Sequence, residues 1–264
     1  MGISLKYLER WPVVTALIIS ATIMLSLQHS LVVASIPDFS NIENISERKT
    51  VFFTYLSEQV RPINIMIAKE RALLLKLNKQ SKLSTKDRII INRLATKYKE
   101  AVPQKDSSIL NTKKLLAKLL SKVDQIPIAL VLAQAANESA WGTSRFAKQA
   151  NNYFGIWCFT KGCGLIPKLR GKGQHHEVRT FLTPKDSVSY YIRLLNSSKI
   201  YKSLRTIRKD LRTAGTPITA INLTAGLKRY SERGTDYIND LVSFIKFNKL
   251  GQKYPLSIQN LNDI

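Results

Sequence analysis

Cysteine is almost missing from this 264-residue chain, which holds two, Cys158 and Cys163. That excludes a disulfide-dense scaffold and a four-cysteine zinc module. Histidine is nearly as scarce, with three. His175 and His176 are adjacent in sequence and His29 is far away; neighbouring residues rarely reach one metal together, so no metal and no cofactor is expected. No Gly-x-Ser-x-Gly elbow occurs, which argues against Ser139 as a nucleophile. There is no internal repeat and no low-complexity tract. Acidic residues are few, 18 against 41 basic ones, for a net charge of +23. What is present is ordinary for a globular domain: 44% apolar residues, too many for disorder. The length suffices to bury a core without staples. A mean hydropathy of −0.11 excludes a polytopic membrane protein. The charge implies a polyanionic partner, and nucleic acid, an anionic membrane and an anionic wall polymer all qualify.

The N-terminus narrows that choice. No Asp, Glu, Lys or Arg occurs in the 27 residues from Trp11 to Pro37, and a spanning helix needs about 20. Lys6 and Arg10 precede the run, whereas Asp38 and Glu43 follow it. This bias places residues 1–11 in the cytoplasm and exports the rest. Residues 12–36 are then a transmembrane helix or a signal segment cut after Ala34, in Val32-Val33-Ala34. Export disfavours nucleic acid as the partner. In an oxidising compartment, Cys158 and Cys163 in WCFTKGC are expected to form a disulfide closing a tight loop.

Residues 37–117 read as a helical region. Ile63, Met66, Ile67, Leu73, Leu74 and Leu77 recur at helical spacing. Pro62 is expected to break or start a helix, and Ser84 or Thr85 to cap the next one. A second domain occupies residues 118–264. Pro127 suits a first helical turn, with Asp124 as its cap. Ile128 to Asn137 is apolar nearly all round, with Gln134 its one polar break, and so reads as a buried helix. Gly155 to Phe181 reads as a small, partly β flap. Asp186–Asn196, Ile218–Gly226 and Asp236–Phe247 read as helices, and Tyr190 and Tyr191 as core.

Glu138 ends the buried helix. A carboxyl there meets low dielectric and the negative end of the helix dipole, and both raise its pKa. That suits a general acid; the competing reading is an ion pair with Arg145 or Lys148.

AQAANESAWGTSRFA followed by NNYFGIW resembles the signature of bacterial peptidoglycan glucosaminidases, glycoside hydrolase family 73. The chain is most similar to the Bax branch of glucosaminidase-domain proteins (bacterial, unrelated to the apoptosis regulator). NNYFGIWCF, Cys163-Gly164, HEVRTF, and Phe52-Phe53, Pro62, Asn64 and Glu70-Arg71 carry that likeness. The resemblance implies a mainly α, lysozyme-like α+β domain with a small β lobe over a saccharide cleft. It implies an endo-β-N-acetylglucosaminidase cleaving β-1,4 bonds of the cell-wall glycan, with Glu138 protonating the leaving oxygen. Tyr230 matches the tyrosine that opens the family's Y-A-T-D-P-x-Y pattern, altered here to Tyr-Ser-Glu-Arg-Gly-Thr-Asp-Tyr and closing at Tyr237. Tyr230 is a third catalytic candidate and Tyr237 a substrate-binding one. Asn152, Tyr153 and Phe154 match the N-x-F-G segment and are expected at the substrate, as are Trp141 and Trp157 if their rings stack on sugar. Many family members carry a second glutamate in the β lobe; here the equivalent stretch, Lys168 to Lys172, is basic. Glu177 is the only acid between Glu138 and Asp186, so it is the second catalytic candidate. The substrate's own acetamido group is the alternative.

The reading that follows is a peptidoglycan hydrolase on the periplasmic face of the inner membrane. The competing reading is a non-catalytic wall-binding scaffold with a degenerate cleft. Residues 116–264 hold 23 basic and 9 acidic groups, so most of the excess charge lies on the expected catalytic domain, where it would steer an anionic glycan toward the cleft.

Overall fold

A computed structural model describes residues 35–102, 108–171 and 173–256. The apolar run at 12–36 lies almost wholly outside the described residues, and so does the expectation of an anchor or signal segment. Among the described residues no helix is long and apolar enough to cross a membrane. The chain divides into two compact units, Met1–Ile36 and Pro37–Ile264; the second is mainly helical with one small sheet.

A 3-10 turn at Phe39–Asn41 leads into α1 (Ile45–Lys79), whose N-cap Asn44 accepts from the Glu47 N–H. α2 (Thr85–Lys97) is capped by Ser84, one of the two caps expected, in a capping box with Asp87. α3 (Ile109–Lys122) follows, then α4 (Ile128–Ser139) and the short α5 (Arg145–Ala150). The strands β1 (Trp157–Cys158), β2 (Gly164–Leu165) and β3 (Glu177–Arg179) form an antiparallel sheet with β3 in the middle. α6 (Pro184–Ser197) starts with Pro184 in its first turn and a Thr183–Asp186 capping box. α7 (Lys202–Thr213), α8 (Ala220–Thr224), α9 (Thr235–Phe247) and α10 (Leu250–Lys253) complete the unit.

Pro62 does not interrupt α1, which runs 35 residues through it. Proline removes one N–H and frees the carbonyl four residues back. Pro62 and Glu58 both lie on the exposed face of α1, where water can take that carbonyl. The buried face continues past it through Val60, Ile63, Asn64 and Ile67. Asp124 also departs from expectation. It does not cap α4, whose N-cap is Pro127 without a side-chain bond. Its carboxylate accepts from Gln125 N–H and from the Arg212 guanidinium at 2.6 and 2.7 Å.

α4 is the hub. Every residue from Ile128 to Ala136 is at most 1% exposed, and α1, α8 and α9 pack on it. Phe39 and Phe52 from the N-terminal elements, Leu132 from α4, Tyr191 from α6 and Leu241 from α9 belong to one continuous core. A helix buried on every side is held rigidly, and α4 carries Glu138 in its last turn.

Candidate active site

The end of α4 is built to hold a sharp turn. Ser139 is fully buried; its hydroxyl donates to Ala135 O and accepts from Gly142 N–H. Ala140, Trp141 and Gly142 then take three successive left-handed conformations, φ +48°, +60° and +78°. Left-handed backbone at a non-glycine residue persists only where the surroundings enforce it. Here Trp141 is gripped by Phe52, Phe53 and Phe244, with ring centroids 5.2–5.8 Å away. Lys49 Nζ stands 5.0 Å from its ring centre. Trp141 is half-buried and packs between α1 and α9.

Glu138 is partly exposed at the surface. Its Oε1 accepts from the Tyr237 hydroxyl at 3.3 Å and from Asn137 Nδ2 at 3.4 Å. Burial raises its pKa above the ordinary value, against the opposing pull of those two hydrogen bonds. The expected direction is therefore found, with desolvation its main cause. Arg145 donates to Ile166 O and Lys148 to Ser40 Oγ. Among the described residues neither forms an ion pair with Glu138. Glu138 Oε2 faces Gly155, where an added Cβ would stand 3.8 Å away. Gly155 is exposed and holds φ +61°, so one carboxyl oxygen is left next to a residue with no side chain.

The structure brings Tyr230 and Tyr237 together, rings stacked at 5.6 Å and 13°. The Tyr230 hydroxyl donates to Phe154 O at 3.0 Å, tying the start of the β lobe to the segment before α9. Phe154 in turn stacks on Tyr191 at 4.1 Å. Asn152, Tyr153 and Phe154 are 1%, 2% and 3% exposed. Side chains buried so deeply offer no surface to a substrate, so the expectation of direct contact is corrected. Asn152 staples the loop instead: its amide donates to Ile156 O and Arg179 O, and its Oδ1 accepts from the N–H groups of Phe154 and Ile156. Trp157 is 53% exposed and stacks one face on His176 at 3.8 Å.

Glu177 is buried in β3 and accepts from Gly162 N–H at 2.9 Å and Gly164 N–H at 2.8 Å. These bonds hold its carboxyl below the usual range. The disulfide Cys158–Cys163 closes the same loop. Among the described residues, Cys158, Cys163 and Glu177 are the one group with potential metal ligands within 4.8 Å of one another. The sulfurs are bonded to each other and carry no thiolate, so the group does not suit a metal.

The profile of the glucosaminidase family, described as mannosyl-glycoprotein endo-beta-N-acetylglucosaminidase, matches residues 114–250. The chain belongs to the glucosaminidase family. Protein bax of Escherichia coli (strain K12) is 34% identical to it over 218 residues, 82% of this chain and 75% of that protein. This is a Bax-like glucosaminidase-domain protein of the glycoside-hydrolase kind. No solved structure matches it. The glucosaminidase match begins inside α3 and takes in Glu138, the β lobe and α9.

Gln134 and Tyr191, read from the sequence as the polar break of a buried helix and as core, also join the hydrogen bonds around Glu138. Gln134 Nε2 donates to the Tyr237 hydroxyl at 3.0 Å, and Tyr191 donates to Gln134 Oε1. The signal for Gln134 was there, as the lone polar break in an apolar helix. A small cavity of about 80 Å³ lies beside the Glu138 turn, lined by Asn137, Arg233, Tyr237, Asp240, Leu241 and Phe244. A larger one of about 470 Å³ opens at the far end of α4, beside Pro127 and Ile245, and has no carboxylate in its lining.

Proposed function

We propose that the protein is an endo-β-N-acetylglucosaminidase acting on peptidoglycan in the periplasm, attached to the inner membrane through residues 12–36. The observation that carries this is Glu138: a carboxyl with a raised pKa at the end of a rigid buried helix, with one oxygen hydrogen-bonded and the other beside an exposed glycine. Such a group is suited to protonate a leaving glycosidic oxygen. The exposed face of Trp157 is assigned to sugar stacking.

With Glu177 engaged by two backbone amides, we assign the nucleophile to the substrate's acetamido oxygen. That oxygen would attack the anomeric carbon while the departing oxygen takes the Glu138 proton. Water would then open the cyclic intermediate and return a proton to Glu138, with net retention. Mass spectrometry of muropeptides released from sacculi tests the reading. The full-length protein should release fragments ending in reducing N-acetylglucosamine, and Glu138→Gln should slow release by about 10²–10⁴-fold. NMR of the first-formed anomer should show retention; inversion would overturn the acetamido route. The engagement of Glu177 also favours a second reading, a wall-binding scaffold without turnover. Binding to sacculi without new reducing ends would support it.

A further inference from the structure

Gln134 is fully buried in α4, one helical turn before Glu138 and on the same face. A buried amide is costly unless its donors and acceptor are used. Here they form a chain. The Tyr191 hydroxyl donates to Gln134 Oε1, Gln134 Nε2 donates to the Tyr237 oxygen, and the Tyr237 hydroxyl donates to Glu138 Oε1.

Counting protons fixes the direction of this chain. A phenol has one hydrogen, an ionised carboxylate only accepts, and an amide nitrogen only donates. If Tyr237 gives its hydrogen to Glu138, its oxygen must receive the Gln134 N–H. The amide oxygen then points to Tyr191, which must donate. With the amide reversed, Oε1 would face Tyr237 and compete with Glu138 for the same hydrogen, while Nε2 would face Tyr191. Tyr191 is fully buried and stacked on Phe154, so its hydroxyl is held in place.

We propose that Gln134 and Tyr191 are positioning residues that, through Tyr237, reserve Glu138 Oε1 as an acceptor and leave Oε2 to carry the transferable proton. Oε2 is the oxygen that faces exposed Gly155, on the side open to a substrate. This inference rests on reading Glu138 as the general acid. Its test needs no substrate, so the two can fail separately.

In the full-length protein, with ¹³C-carboxyl glutamate and the Glu138 signal assigned by its loss in Glu138→Gln, the Glu138 titration is followed by NMR. Tyr237→Phe should move it to higher pH, since a donor to the charged form is lost. Tyr191→Phe should move it in the same direction although Tyr191 does not hydrogen-bond Glu138, and the double variant should move it no further than Tyr237→Phe alone. Gln134→Met, which keeps the volume and removes both amide bonds, is a second arm and should shift the titration upward as well. An unmoved titration in Tyr191→Phe and Gln134→Met, or shifts that add in the double variant, would overturn the proposal. Shifts as expected without glycan release would leave the positioning intact and defeat the hydrolase reading. Glycan release with no shift would do the reverse.

Discussion

Burial raises the Glu138 pKa in the folded chain, so the native state holds a proton there more tightly than the unfolded state, whose glutamates titrate near about 4.3. Glu138 is therefore tolerated best at low pH, and its ionisation erodes stability as pH rises through the folded pKa. Glu138→Gln keeps the shape and removes that loss. The variant is expected to melt higher than wild type at pH 7 and level with it below about pH 4, measured by calorimetry across pH. A variant less stable at pH 7 contradicts burial as the dominant cause. Glu138 was legible in the sequence because a lone acid closing an apolar helix has few structural uses. Tyr237 entered only through the family pattern, as a substrate contact; its bond to Glu138 was not legible, because the two lie 99 residues apart and no local pattern records such a contact.

Among the elements, the β lobe has strands of two or three residues, and the disulfide, Asn152 and Glu177 tie its loops together. That carboxyl is held below its ordinary pKa by the Gly162 and Gly164 amides. The stability it supplies is present above the unfolded value of about 4.3 and fades as pH falls through the folded one. Hydrogen exchange is expected to show both amides protected at pH 7 in wild type and one of them exposed in Glu177→Gln, whose single amide oxygen replaces two acceptors, with wild-type protection lost on acidification beyond the intrinsic slowing of exchange. Equal protection in the variant would return Glu177 to candidacy for catalysis. The start of α2 was readable from its cap at Ser84; that of α4 was not, because Asp124 pairs with Arg212 and leaves Pro127 as the N-cap. The continuity of α1 through Pro62 was not readable either, because it depends on which face of the helix meets water.

Across the whole molecule, α1 belongs to the same core as the glucosaminidase match that begins after it. Asn64, fully buried, donates to Ile126 O and accepts from Ile126 N–H. Arg71 donates to the carbonyls of Leu120 and Val123. Asn64→Ala strips partners from two buried backbone groups at about 1–3 kcal/mol each. It is expected to lower the melting temperature by about 2–4 °C per kcal/mol and to loosen α4 and its glutamate together. A melting temperature within a degree of wild type would show that α1 is dispensable to the site. The mainly helical architecture was readable from periodicity, but the merging of residues 37–117 with the rest was not, since apolar stripes do not name their partners.

The contact between Glu138 and Tyr237 also orders events in time. A chain emerging from its N-terminus makes the glutamate long before the tyrosine, and the Gln134–Tyr237 bond spans 103 residues. Contacts so distant in sequence close late in folding. A chain that stops before α9 therefore carries the acid without the hydroxyl that orients it. The constellation around Glu138 is therefore complete only once the last helices are synthesised and docked.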